Sequence, residues 1–198
     1  MGFELIIIQA LWLGLPAYIA NASALLVGGG TPIDFGKNWK DGKRILGDGK
    51  TWRGLITGAF VGMTSGFGLA VVAILANNTS EFAFFGLNDF GRFPFMILII
   101  GSLCFGALIG DIVESFFKRR IGIDRGEDWI PFDQLDFIIG SLLLSLSIAS
   151  ILQVTGLASS NWFFDSFTIW HIIILLTLTP FIHIFANFVA RKRKIKKT

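Results

Sequence analysis

Charged side chains stand at the junction of two long apolar runs, where their types and spacing suit chemistry. Counted from Asp111, the next three polar residues follow after three, four and seven positions, and they are Glu114, Ser115 and Lys118. Residues with this spacing share one face of a helix. Asp133 and Asp136 repeat the three-residue spacing where the next apolar run begins. We therefore expect two carboxylate pairs to meet across a helical hairpin at the membrane surface. Ionisable groups at membrane depth are costly, so this cluster indicates a functional site.

Metal binding is the chemistry that these carboxylates suit best. No His or Cys stands near them in the sequence. Oxygen ligands alone favour hard cations, Mg²⁺ before Zn²⁺. A structural alternative is an intrahelical salt bridge, in which Asp111 or Glu114 pairs with Lys118 or with Arg119. Four acidic residues on two adjoining helix ends are harder to explain by one such pair.

The segment 28–53 is a second candidate, because it is rich in Gly and in basic residues. Glycines let a backbone approach phosphate closely. Lys50 and Arg53 lie immediately before the next apolar run, whose helix N-terminus would favour an anion. The alternative is a basic loop that only sets membrane topology. Gly49-Lys50-Thr51 is not a P-loop, since Arg44 stands where that motif requires Gly.

The elements that must position these residues are membrane helices. Of 198 residues, 53% are hydrophobic and 16% charged, and the mean hydropathy is +0.68. A crossing helix needs roughly 20 apolar residues. We predict an all-α integral membrane protein with one polytopic domain, 1–198, and cytoplasmic loops at about 28–53 and 118–134. Its five transmembrane helices are predicted at about 3–27, 54–76, 94–117, 135–156 and 168–190.

Basic residues predict the orientation of these helices. Sixteen of the 17 Lys and Arg residues fall in segments 28–53, 118–134 and 191–197, and only Arg92 falls elsewhere. Since such residues favour the cytoplasmic side, the N-terminus is expected outside and the C-terminus inside the cell. Glu4 precedes the first apolar run, which argues against a signal peptide. We expect a multi-pass cell-membrane protein with its active site on the cytoplasmic side.

Two further features limit the function classes. Cys104 is the only cysteine, so an intramolecular disulfide or a thiolate metal cluster is excluded. The basic tail 191–197 is expected to contact anionic lipid headgroups, and no nucleic-acid partner is expected.

The motifs resemble a family signature. Ser115-x-x-Lys118-Arg119, then Asp124, then Pro131-x-Asp133-x-x-Asp136 resembles that of the CDP-diacylglycerol synthases, which are membrane cytidylyltransferases. With the segment LGDGKTWRG (46–54), the short length and five helices, the chain looks more like their archaeal branch, the CDP-archaeol synthases. Two departures favour that branch. Pro131-Phe132 replaces a Pro-Gly-His-Gly-Gly run, and Gln134 stands where the other branches carry Arg.

The resemblance implies transfer of CMP from CTP to unsaturated archaetidic acid, a geranylgeranylated glycerol ether phosphate, in phospholipid biosynthesis. It implies two Mg²⁺ ions and CTP as co-substrate, with no general base. Asp111 and Asp133 are the expected principal metal ligands, and Glu114 and Asp136 the further ones. Residues expected in catalysis are Asp111, Asp133, Lys50 and Lys118. Residues expected to bind the nucleotide and the lipid phosphate are Asn21, Lys50, Thr51, Arg53, Ser115, Lys118 and Arg119.

Other functions stay open at this point. A CDP-diacylglycerol synthase would consume phosphatidate instead of the ether lipid. A divalent-cation transporter would use the same four carboxylates as ligands within the membrane. For either lipid enzyme we expect a lateral opening between helices that admits the acceptor, but the sequence does not identify those helices. Both a monomer and a homodimer are compatible with the sequence.

Overall fold

Six α-helices and one 3₁₀ turn form the part of the chain that this computed structural model describes. That part comprises residues 2–124, 127 and 129–195, with side chains described as far as residue 182. The 3₁₀ turn is Ala83–Phe85. The helices are α1 (Phe3–Val27), α2 (Trp52–Asn77), α3 (Phe95–Arg120), α4 (Phe132–Val154), α5 (Trp162–Ser166) and α6 (Ile169–Ile195).

Four helices, α1 to α4, are long and apolar enough to cross a membrane. The prediction of an all-helical, multi-pass membrane protein is therefore confirmed. The apolar stretch of α6 whose side chains are described, Ile169–Ile182, is shorter than the ~20 residues of a complete crossing. The fifth crossing and the orientation of the termini stay predictions, and the end of the basic tail, 196–198, lies outside the described residues.

Helix boundaries differ from the predicted ones at the charged junction. α3 continues to Arg120, where the prediction ended at 117, and it stops because Gly122 adopts a left-handed φ of 84°. α4 begins at Phe132 rather than at 135. Both shifts move residues predicted in a loop onto helix ends, including Lys118 and Asp133. α2 begins at Trp52 rather than at 54, because the Thr51 hydroxyl accepts a hydrogen bond from the Gly54 amide at 3.1 Å.

Glycines bring α3 and α4 into backbone contact. A Cβ on Gly110 would lie 2.2 Å from the Asp136 carbonyl oxygen, and one on Gly106 would lie 2.5 Å from the Gly140 carbonyl oxygen. A Cβ on Gly140 would likewise clash with the Gly106 carbonyl oxygen on the facing helix. Small residues at such contacts let membrane helices pack closely. The contact holds the carboxylates of α3 and α4 side by side.

α1 packs on α2 in the same manner. A Cβ on Gly58 would lie 2.7 Å from the Ala20 carbonyl oxygen, and one on Gly62 would lie 2.6 Å from the Ala20 Cβ. These glycines therefore serve packing within one chain. Between α1 and α2 runs the long irregular segment 28–51, whose two ends are joined by an isolated bridge between Pro32 and Thr51. Because Thr51 pairs with Pro32, Lys50 lies close to the C-terminal ends of α1 and α3.

Candidate functional site

A charged cavity of about 690 Å³ lies where the segment 28–51 meets α3, the start of α4 and the last turns of α1. Five basic and six acidic residues line it, so the cavity has no excess positive charge of its own. Most of the predicted site residues meet there. Those on its wall are Asn21, Lys50, Asp111, Glu114, Ser115, Lys118, Arg119, Asp133 and Asp136.

Two predicted nucleotide contacts lie outside this wall. Thr51 is buried and uses its hydroxyl to cap α2, next to a small pocket of about 20 Å³ that it shares with Lys50 and Asp111. Arg53 is exposed on the first turn of α2. The nucleotide contacts of these two residues stay predictions.

Lys118 links α3 to α4. Its Nζ donates to both carboxylate oxygens of Asp133 at 2.8 Å, whereas Glu114 Oε1, one turn earlier on α3, is 3.9 Å away. The Trp129 amide also donates to Asp133 Oδ2 at 2.7 Å. The intrahelical salt bridge considered above is thus the weaker contact of Lys118. The main ion pair connects two helices.

Lys50 links the first long loop to α3. Its Nζ donates to Asp111 Oδ2 at 2.5 Å, although the two residues are 61 positions apart. The two side chains are 17% and 20% exposed, so this ion pair is open to the solvent of the cavity. The four residues predicted for catalysis thus form two lysine–aspartate ion pairs.

The four carboxylates do not form a ready-made metal site. Among the described residues, no three His, Cys, Asp or Glu side chains gather closely enough to hold a metal ion. The donor set nevertheless suits a hard cation, because all four carboxylates line one cavity. Glu114 Oε1 is buried without a hydrogen-bond partner, which leaves one carboxylate oxygen available. Lysines bind the carboxylates of Asp111 and Asp133 in this structure.

Asp34 anchors the first long loop and was missed by the sequence reasoning. Its side chain is fully buried and accepts hydrogen bonds from the Arg44 guanidinium at 2.9 and 3.2 Å. The amides of Gly36, Leu46 and Gly47 donate to it at 3.0 Å. Burial alone would raise the pKa of Asp34, but these donors outweigh burial and hold its pKa well below the ordinary value. An acidic residue among glycines in a basic segment was the available signal.

Arg120 connects the same loop to the end of α3. It donates to Asp41 Oδ1 at 3.0 Å and to the Lys43 carbonyl oxygen at 3.3 Å, and it also donates to the Arg44 carbonyl oxygen. Its guanidinium lies over the Phe116 ring, 5.0 Å from the centroid. Asp34 and Arg120 together place the loop over the cavity. From the sequence alone, the basic residues of this loop are expected to set topology or to contact phosphate, and the contacts of Arg120 are not predicted.

Besides Glu114 Oε1, two further polar atoms on the cavity wall are buried and lack hydrogen-bond partners within the described part of the chain. They are Asn21 Oδ1, on the last turns of α1, and Arg119 Nε, on α3. Buried polar atoms without partners are costly. A ligand that accepts from Arg119 and donates to Asn21 would satisfy both.

This chain is similar in sequence and in architecture to known proteins. The family model described as CarS-like CDP-archaeol synthase matches residues 3–198. The CDP-archaeol synthase of Methanocorpusculum labreanum is 47% identical over 88% of this chain and 93% of its own. That of Methanospirillum hungatei JF-1 is 42% identical over 92% of this chain and 98% of its own. A solved structure, described as an intramembrane enzyme for archaeal membrane lipids biosynthesis, matches with a TM-score of 0.69. It is 31% identical and covers 92% of this chain and 94% of its own.

Proposed function

The chain belongs to the CDP-archaeol synthase family, and from this premise we propose that it transfers CMP from CTP to a geranylgeranylated glycerol ether phosphate. An oxygen of the lipid phosphate bonds to the α-phosphorus of CTP, while the bond from that phosphorus to the pyrophosphate oxygen breaks. The observation that carries this proposal is the cavity in which Lys50, Lys118 and four carboxylates meet at the ends of membrane helices.

Little acid–base chemistry is required of the protein. A phosphate monoester has a second pKa near 6, so the acceptor is largely dianionic at pH 7. The residues must therefore position two anions and offset their repulsion. Lys50, Lys118 and Arg119 supply positive charge on the cavity wall. Six acidic residues on the same wall outnumber its five basic residues, and this balance calls for an additional cation when a triphosphate enters.

We propose Mg²⁺ as that cation, held by Asp111 and Asp133, with Glu114 and Asp136 as further ligands. Bound Mg²⁺ offsets the charge of the attacking and leaving oxygens. Asp111 and Asp133 are now paired with lysines, so we expect an exchange of partners. The ammonium groups of Lys50 and Lys118 turn to phosphate oxygens, and the carboxylates become free to bind the cation. Side-chain rotation suffices for the Lys50 pair, because both groups are partly exposed.

The active site is proposed to face the cytoplasm, where CTP is available. This placement agrees with the asymmetric distribution of Lys and Arg along the chain. This placement requires α1 to begin outside the cell. We further propose that α6 makes a fifth crossing, within a single polytopic domain that spans 1–198.

A labelling experiment tests the reaction type. Purified protein in detergent receives the ether lipid phosphate and Mg²⁺ with CTP that is labelled at either the α- or the γ-phosphate. We expect the α-label in the organic extract as a nucleotide lipid and the γ-label in water as pyrophosphate. Chelation of divalent cations by EDTA should abolish both transfers. Transfer of the γ-label to lipid would contradict the proposal, since it would indicate a kinase.

A further inference from the structure

Exposed aromatic side chains lie at the end of the helix bundle that carries the charged cavity. Phe35 and Trp39, in the segment 28–51, are 63% and 46% exposed, and Trp52 on the first turn of α2 is 42% exposed. The rings of Phe35 and Trp52 are neighbours, with their centroids 6.5 Å apart. The Trp39 ring contacts that of Phe116, near the end of α3, with a centroid distance of 5.4 Å. The segment thus adds aromatic rings to the ends of two membrane helices.

Helical spacing shows that Trp52 faces the membrane. Trp52, Ile56 and Phe60 are four residues apart on α2, so they share one face of the helix. Ile56 and Phe60 are 64% and 72% exposed, and α2 is long and apolar enough to cross a membrane. Trp52 stands at the end of this apolar face, and Phe35 extends it beyond the helix. Tryptophan is enriched at this level of membrane proteins, where its ring lies among the lipid headgroups.

Positive charge beside these rings is not offset by carboxylates. The segment 28–51 contains three acidic residues, and all of them are in ion pairs with arginines: Asp34 and Asp48 with Arg44, and Asp41 with Arg120. Lys37 is exposed and forms no ion pair with any described residue. It stands two residues after Phe35 and two before Trp39. A partner for this surface therefore carries negative charge next to apolar groups.

The backbone holds Phe35 in an uncommon conformation. Its φ is 51°, in the left-handed region that side chains other than Gly rarely adopt. The Phe35 amide donates to the Pro32 carbonyl oxygen at 3.0 Å, and the Lys37 amide donates to the Asp34 carbonyl oxygen at 2.9 Å. The Gly36 amide donates to Asp34 Oδ1 at 3.0 Å. This turn presents the Phe35 ring outward although no core contact requires it, as expected of a binding residue.

We propose that this surface docks on the bilayer: Phe35, Trp39 and Trp52 lie in the headgroup region, and Lys37 binds the phosphate of anionic lipids there. The rings supply affinity for the interface, and the ammonium group supplies the preference for negative charge. These are lipids of the surrounding bilayer, so the proposal does not rest on the proposed reaction. The segment that carries Lys50 is then held on two sides, by its ion pairs to the protein and by the bilayer.

A depth measurement tests the docking. In full-length protein that carries Cys104→Ala, a fluorophore is attached at Phe35→Cys or, as the control, at Asp48→Cys. The Asp48 side chain is 62% exposed and lines the polar cavity. In vesicles of phosphatidylcholine and phosphatidylglycerol, a nitroxide on the lipid near the headgroup should quench the label at 35 about threefold more than that at 48. Acrylamide in the water should show the reverse order.

Two outcomes of the depth measurement would overturn the proposal. One is equal quenching of the two positions by the lipid nitroxide. The other is a label at position 35 that is shielded from the nitroxide and from acrylamide alike, because a second copy of the chain would then cover the rings. A label at Lys37→Cys provides the same comparison if Phe35→Cys does not fold.

The preference for anionic lipid is tested with the label at Phe35→Cys. Adding phosphatidylglycerol to phosphatidylcholine vesicles should lower acrylamide quenching about twofold, and high salt should reverse this effect. Lys37→Glu should remove about half or more of this lipid dependence, whereas Lys37→Arg, the matched control, should retain it. Quenching that does not depend on lipid charge, or the same dependence in Lys37→Glu and Lys37→Arg, would overturn the role of Lys37.

Discussion

Two lysine–aspartate pairs dominate the site at the scale of single residues. Lys50 with Asp111 joins a loop to a helix, and Lys118 with Asp133 joins two helices. Each pair holds opposite charges where a nucleotide and a cation are proposed to bind. Removal of one member leaves the other without its partner, which costs more than the pair contributes. The lysines are therefore expected to matter for both stability and catalysis.

Lys50→Met should reduce kcat about 10²- to 10³-fold, because it removes one fixed positive charge from the triphosphate site. The apolar stem is retained, so packing changes little. The measurement is the rate of pyrophosphate release at saturating CTP. Lys40→Met is the control, since Lys40 is exposed in the same loop and outside the cavity. Equal rates in the two variants would remove Lys50 from the proposed role.

Asn21→Ala should weaken the preference for CTP over UTP. Asn21 is 5% exposed, and its Oδ1 faces the cavity without a hydrogen-bond partner. An amide oxygen accepts from the 4-amino group of cytosine, whereas uracil presents an acceptor at that position. We expect the ratio of kcat/KM values for the two nucleotides to fall about tenfold or more. An unchanged ratio would show that Asn21 does not contact the base.

At the scale of helices and loops, close contacts position the charged groups. The glycines of α3 and α4 bring backbone to backbone, and Asp34 holds the loop that carries Lys50. These elements contribute nothing to the reaction directly. They decide whether Asp111, Glu114 and Lys118 on α3 face Asp133 and Asp136 on α4.

Gly110→Ala should lower thermal stability and activity together. The new Cβ would lie 2.2 Å from the Asp136 carbonyl oxygen, so α3 and α4 must separate. Overpacking of this kind costs about 1–3 kcal/mol. Gly68→Ala is the control on α2, because nothing lies within 4 Å of its added Cβ. Thermal unfolding in detergent measures the stability of both variants, and pyrophosphate release measures their activity. A Gly110→Ala variant as stable as the control would contradict the close contact.

Asp34 should make the stability of the first loop dependent on pH. Since its folded pKa is depressed, the stabilisation is present above the unfolded value of about 4 and is lost as the pH falls below it. Asp34→Asn should destabilise the loop at neutral pH by on the order of 2 kcal/mol and remove this acid dependence. Limited proteolysis of residues 28–51 between neutral and acidic pH checks both. Identical pH profiles for the variant and wild type would contradict the prediction.

For the whole molecule, the sequence predicted which residues belong to the site better than it predicted which distant segments contact each other. Helical spacing placed Asp111, Glu114 and Lys118 on one face, because that periodicity is local. The pairing of Lys50 with Asp111 depends on how a long loop folds back, which local spacing does not encode. Asp34 was missed for the same reason. The expected opening to the membrane and the helices that border it stay predictions.

The most direct test of the central claim is pyrophosphate release by purified protein with CTP and Mg²⁺. Geranylgeranylated glycerol ether phosphate and diacyl phosphatidate are supplied in parallel as acceptors, and Asp133→Asn is the control variant. We predict release with the ether lipid and a loss of about 10²-fold or more in the control. Release with phosphatidate alone would assign a different acceptor. No release with either lipid from correctly folded protein would contradict the claim that this cavity transfers CMP to a lipid.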